Sequence, residues 1–295
     1  MPIRTTAPRA VAAVVGAAVL FGSTGTAQAL GPASATPLGV GAVRIAVGAV
    51  ALWLLTGRPS RSALRGRRLP IAIGAIGVAV YQPGFFTGTE RLGVALGTIV
   101  ALGSGPLFAG LIESVTGSRP PARWAVATLL AVAGGSLLVF SGSAGADFSL
   151  IGLAGSLAAG LGYALYAVVT RRLIVDGLGS TEASAWQFSI GALLLLPFLA
   201  FEPLGWLRTG DGVLMALHLG LLCTAAAYVL YGWGLRVLDS STATTLTLAE
   251  PATAALLAIA VLDERLRWFG WAGASLVVVG LVVVGSGRDR FGTVS

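Results

Sequence analysis

Cysteine and histidine occur once each, as Cys223 and His218, and lysine is absent. One thiol cannot close an intramolecular disulfide, and one thiol with one imidazole falls short of the roughly four ligands of a structural zinc site. Charge is scarce too: 11% of the 295 residues are charged, against about 25% in soluble domains. No His/Asp/Glu set falls within one hydrophobic run, so neither a nucleophile–base pair nor a metal pair is indicated. The stretch "GSGPLFAG" (103–110) lacks the Lys-Ser/Thr ending of a phosphate-binding loop. No cofactor, metal or catalytic residue is therefore expected, and His218 is expected to hydrogen-bond within a helix bundle.

Hydrocarbon takes the place of charge. Hydrophobic residues make up 56% of the chain and fall into blocks near 20 residues, the length that crosses a hydrocarbon layer about 30 Å thick. Ten blocks are read: 10–30, 37–56, 69–89, 94–116, 122–141, 149–170, 181–201, 212–234, 241–262 and 268–286. The expected fold is an all-α integral membrane protein of ten transmembrane helices with short connectors. The net charge of +7 does not indicate nucleic acid, because the 19 basic residues, all arginine, form no patch interleaved with aromatics. Their placement follows the membrane instead. With the N-terminus inside, cytoplasmic segments carry 14 arginines and external ones 4, while Arg44 lies within a span. The run Arg58, Arg61, Arg65, Arg67 and Arg68 is the strongest anchor. Both ends are expected in the cytoplasm, the chain being multi-pass in the plasma (inner) membrane. The sequence Ala27-Gln28-Ala29 looks like a signal-peptide cleavage site, but the first block is read as a retained span, because its partner at 149–170 is internal.

That partnership comes from an internal repeat. A shift of 145 residues aligns 91–140 with 236–285, pairing Arg91 with Arg236, Pro106 with Pro251 and Gly135 with Gly280. The two halves, 10–141 and 149–286, hold five spans each, so the second enters the membrane from the opposite side. Inverted repeats of this kind are a transporter design, with the substrate near the midplane between the halves. Glycine, at 42 residues, is about twice its usual ~7% share. In span six, Gly152, Ser156, Gly160 and Ala164 recur every four residues, a small-residue stripe for close helix packing.

Polar residues inside spans carry the functional expectation. A charge at mid-span costs about 2.5–3.5 kcal/mol on insertion scales, which the aliphatic residues of 241–262 roughly offset, so Glu250 can insert but should face the bundle interior. Pro251 removes a backbone donor and disturbs the carbonyl one turn earlier, near Thr247. Bare backbone of that kind survives only against protein or water. Glu250 either binds a substrate amine or a coupling proton, or is a structural carboxylate held by Thr244 or Thr247. Arg44 is read as structural or gate-pairing, with Gln187 as its nearest counterpart in span seven, and Pro106 and Pro251 as kinks. The hydroxyl-rich face Thr224, Tyr228 and Tyr231 (i, i+4, i+7), with Tyr163 and Tyr166, and Tyr81 and Gln82 before Pro83, completes the expected lining. Val277 is read as lipid-facing.

These features resemble the EamA-type transporters of the drug/metabolite transporter superfamily. The resemblance is carried by "LAEPATAALLAIAVLDERLRWFGWAGASLVVVGLVVV" (248–284): Pro251, a Glu264-Arg265-Leu266 turn, then Gly270, Gly273 and Gly280 in the last span. The first copy keeps Pro106 but has Arg119 where the second has Glu264. The resemblance implies a basket in which spans one to four and six to nine surround a cavity, braced by five and ten. It also implies export of amino acids or related small amphipathic metabolites by alternating access, with exporters of the YddG type as the nearest analogy. A Glu-Pro pair in the ninth span is common in such relatives, which implies a general cavity-wall role for Glu250. A passive facilitator and a multidrug or nucleobase exporter are the alternatives.

Overall fold

A computed structural model describes residues 7–56, 64–117, 120–140, 149–263 and 267–286. Arg58, Arg61, Arg119, Glu264, Arg265 and Leu266 lie outside the described residues. Among those described there is no strand, and ten helices are long and apolar enough to cross a membrane. Spans one to five are Ala7–Ala29, Pro37–Thr56, Arg68–Leu92, Leu96–Val115 and Ala122–Phe140. Spans six to ten are Leu150–Val175, Ser180–Leu199, Gly210–Leu235, Ser240–Leu262 and Trp268–Gly285. Leucine, valine and alanine sustain helix throughout, and their apolar side chains also face outward, as Leu54, Leu111, Leu129 and Val282 do. An apolar exterior is what a helix surrounded by lipid requires.

Glycine sets the closest contacts. Spans three and six run antiparallel, and a Cβ at Gly77 would sit 2.4 Å from the Gly162 carbonyl oxygen, one at Gly84 2.8 Å from that of Gly155. Only glycine permits this approach. The span-six stripe packs here as expected: Gly152 against Leu92, Ser156 against Gly88 and Gly160 against Ser104 of span four. Spans five and ten cross the same way, Gly134 against Gly273 and Gly280 against Ala127. Val277 is buried at this crossing, not lipid-facing, because the backbones come so close that its side chain has no route to the exterior.

Two spans depart from regular helix. Span eight winds as a π-helix over His218–Ala226. Span nine is two helices, Ser240–Leu246 and Ala249–Leu262, with Thr247 and Leu248 between them at ψ −9° and −2°. Pro251 thus stands in the first turn of a new helix, where its missing N–H has no partner to lose. Hydroxyls serve the first segment's carbonyls: Thr244 donates to Ser240 O, Thr245 to Ser241 O and Thr247 to Thr244 O.

Candidate functional site

The break in span nine faces a hollow of about 690 Å³, its open mouth included. Seven of the residues singled out in the sequence line it: Arg44, Tyr81, Gln82, Tyr163, Tyr228, Thr247 and Glu250. Span one adds Phe21, Thr24 and Gln28, and spans three, four and nine add Phe85, Phe86, Leu102 and Leu248. These additions left a trace in the sequence, since Phe21, Thr24 and Gln28 sit at i, i+3 and i+7, one face of a helix. Glycine supports this wall as well: a Cβ at Gly22 would lie 2.6 Å from Thr253 Cβ, so span one seats directly against the second segment of span nine.

Aromatic rings form the floor and one side. Tyr81 stacks on Phe85 at 5.7 Å with 8° between the planes, and Phe21 meets Tyr228 at 5.1 Å. Beneath them Tyr228 abuts Phe188 at 4.4 Å, and Tyr163 approaches Tyr231 at 6.0 Å. The Tyr163 hydroxyl lies 3.0 Å from Thr247 Oγ1, so the floor is tied to the broken turn of span nine.

Two formal charges of opposite sign enter this hollow. Among the described residues, neither the Glu250 carboxylate nor the Arg44 guanidinium has a hydrogen-bond partner or an ion pair within 4 Å, and Arg44 Nε is buried without one. Thr244 and Thr247, the hydroxyls considered as holders of Glu250, are turned to backbone carbonyls and to Tyr163. Unpaired charges in a low-dielectric wall are costly, and a ligand bearing the complementary charges would satisfy both.

The other residues named from the sequence lie elsewhere. Tyr166 is below the floor, its hydroxyl 2.8 Å from Ser184 Oγ. Thr224 is buried against Gly48 of span two and donates to Leu219 O, five residues back. Its placement on one face with Tyr228 assumed 3.6 residues per turn, and the π segment breaks that register. Gln187 is fully buried on the sealed side of the hollow, its amide donating to Thr170 Oγ1 at 2.9 Å and Ala183 O at 3.0 Å. Pro106 sits inside the continuous helix Val94–Val115, and Pro251 faces an apolar crevice of about 240 Å³ between spans four, five and nine. His218 Nε2 lies 2.9 Å from Ser23 Oγ, a bond within the bundle.

The hollow lies mostly to one side of mid-span. Nine of its fourteen lining residues occupy the second halves of spans one and three and the first halves of spans two and four, while those of spans six, eight and nine stand at or just past mid-span. The nine therefore run from mid-span toward the face opposite the start of span one and the end of span ten. In the half toward the chain ends Gln187, Tyr231, Ser240 and Ser241 are buried.

Comparison with known proteins agrees with this architecture. The EamA-like transporter family matches residues 150–286. A transporter of Bacillus subtilis (strain 168), YwfM, is 38% identical over 270 residues, covering 91% of this chain and 90% of that one. The chain belongs to the EamA-like transporter family. The threonine/homoserine exporter RhtA of Escherichia coli (strain K12) is 30% identical over 86% of this chain and 83% of its own. One solved structure superposes with a TM-score of 0.78 at 22% identity, over 93% of this chain and 95% of that one, a likeness of fold. This EamA-type chain is thus a multi-pass membrane transporter of a small molecule.

Proposed function

We propose that this chain is a secondary-active exporter of amino acids or related small amphipathic metabolites, working by alternating access between two inverted halves, 10–141 and 149–286. The observation that carries the reading is the pairing of an unpartnered carboxylate, Glu250, and an unpartnered guanidinium, Arg44, in one aromatic-walled hollow. An ammonium group would meet Glu250, a carboxylate would meet Arg44, which can receive it bidentately, and an apolar side chain would lie on Tyr81, Phe85 and Tyr228. A relative named as a threonine/homoserine exporter supports the same cargo class.

Packing supports the inverted halves. Span three lies on six as eight lies on one, four on six as nine on one, and two on seven and five on ten are self-paired. At the five/ten crossing Gly134 meets Gly273 and Val277 as Gly280 meets Ala127 and Ala131, a correspondence offset by 146 residues, one more than the sequence shift, so that Gly134 and not Gly135 packs as the counterpart of Gly280. The arginine bias puts both chain ends in the cytoplasm of a plasma or inner membrane, which makes the described state open to the outside. Tyr81, Gln82, Tyr163, Tyr228, Thr247 and Glu250 bind the cargo, and Arg44 both receives its carboxylate and links span two to the site. Tyr166, Thr224 and Gln187 hold the surrounding helices, and Pro106 and Pro251 shape spans four and nine.

The test is counterflow in proteoliposomes with radiolabelled amino acids, amines and carboxylic acids offered separately. Zwitterions with both charges should exchange, and amines or acids alone should exchange far less. Equal rates for all three classes would remove the two-charge reading. Tyr228→Ala should weaken exchange by roughly tenfold or more, as expected for losing an aromatic contact together with its buried area. Val278→Ala, at an exposed position, should leave it unchanged.

A further inference from the structure

We infer that Glu113, far from the hollow, is the latch that keeps it closed toward the face of the chain ends. This rests on the alternating-access reading above. Glu113 stands in the last turn of span four, 8% exposed, and its Oε1 accepts the backbone N–H of Ser240 at 2.6 Å and of Ser241 at 3.2 Å. Those are the opening residues of span nine. Helix starts leave such donors without intrahelical partners, and a side chain next door normally takes them. Asp239 occupies the capping position and has the right chemistry, yet its side chain caps nothing and points to Arg171 of span six, 3.7 Å away. The cap is supplied across the bundle by span four.

Other bonds gather at the same level. Trp124 Nε1 of span five donates to Ser241 O at 3.0 Å, Thr128 meets Thr245 at 2.8 Å, and Arg171 donates to Leu235 O at 2.9 Å. Spans four, five, six and nine are thereby fastened at one end, while at the other end four and nine part around the hollow. The only carboxylate in this fastening that is buried and serves two donors is that of Glu113. Moving span nine away from span four would strand both N–H groups and the charge at once, so the seal opens as a unit.

The latch has no twin. A shift of 145 or 146 residues puts Ala258 or Ile259 in the place of Glu113, and Val94, Ala95 or Leu96 in the places of Ser240 and Ser241. An exchange of the two halves would therefore bring no carboxylate to the matching place at the opposite face. One gate is held by charge-assisted hydrogen bonds and the other is not, so the carboxylate biases the transporter toward the state open away from its chain ends. Glu113 acts as a positioning residue for span nine, and touches no cargo.

The test uses the full chain in proteoliposomes with Cys223→Ala as background. Ala243→Cys reports on the seal, since Ala243 is fully buried in the first segment of span nine, and Thr24→Cys reports on the hollow. Membrane-impermeant maleimide is added to each face in turn. Glu113→Ala should speed labelling at 243 from the chain-end face by at least about tenfold, the factor expected for one lost charge-assisted hydrogen bond. It should slow labelling at 24 from the opposite face. Trp124→Phe should move both rates the same way by less, and it replaces Glu113→Ala should that variant not fold. Unchanged rates overturn the latch, and so does a rise at both positions, which marks general loosening. If RhtA-type cargo (threonine) shifts the two positions reciprocally in the background protein while Glu113→Ala and Trp124→Phe do not, the latch alone fails. If nothing ever shifts them reciprocally, the alternating-access reading fails with it.

Discussion

Under the proposed halves spans four and nine correspond and each carries a proline, yet only nine is interrupted, by a tight turn at Thr247 and Leu248. In span four Pro106 is embedded in an unbroken helix, Val94–Val115, preceded by Gly105. In span nine Pro251 follows Glu250 and the helix stops at Leu246 and restarts at Ala249. Proline alone therefore does not break a transmembrane helix. What differs is the supply of hydrogen bonds to the carbonyls that a break exposes. In span nine Thr244, Thr245 and Thr247 all donate to carbonyls just before the turn, whereas in span four Ser104 donates to Ala101 O and Ser114 to Gly110 O, away from any break. Lipid supplies no such bonds. A span can afford to open only where its own hydroxyls and a polar hollow stand ready, and the opened turn is where the carboxylate is presented.

Five substitutions sharpen this contrast. The largest effect is expected from Glu250→Gln, which should lower counterflow tenfold to a hundredfold, as about 1.5–3 kcal/mol of charge-assisted bonding implies, with the melting midpoint in detergent retained. Unaltered counterflow would make spans four and nine equivalent walls. Next come the prolines: Pro106→Ala should raise stability, since a helix-interior proline costs up to about 3 kcal/mol. Pro251→Ala, in a first turn, should change it by less than about 0.5 kcal/mol. A larger shift for Pro251, read by thermal unfolding, would mean that this proline and not the hydroxyls makes the break. The smallest is Thr247→Val, which removes the link to Tyr163 and should weaken cargo affinity about fivefold, roughly 1 kcal/mol. Ser104→Ala in span four should leave affinity as it is. Equal effects of the two would erase the distinction.

Much of this arrangement is legible in the chain. The ten spans agree with the sequence reading to within a few residues at most ends, because hydropathy over about 20 residues is summed locally and needs no partner. Glu250 and Pro251 mark the break for local reasons: a charge is costly wherever the helix packs, and a residue without a donor is best placed in a helix's first turn. Thr224 shows the limit. Its face was inferred from an ideal helical period, and the π segment His218–Ala226 turned it toward span two. Val277 shows another, since valine has no mark that separates a lipid-facing side chain from one buried against Gly134. Glu113 went unremarked among the intramembrane polar residues, although a lone acid near the end of an apolar run was a visible sign.

By itself the sequence determined that this chain lives in a membrane, how many times it crosses, and which buried polar groups had to find shelter, all consequences of the cost of placing charge and bare backbone in hydrocarbon. The tertiary structure alone decided which of those groups share one hollow and which merely fasten helices. It also decided that the N–H groups opening span nine are capped by a residue 127 positions away. Those outcomes depend on which helix faces meet, and faces meet through glycine contacts and register shifts that no single span encodes.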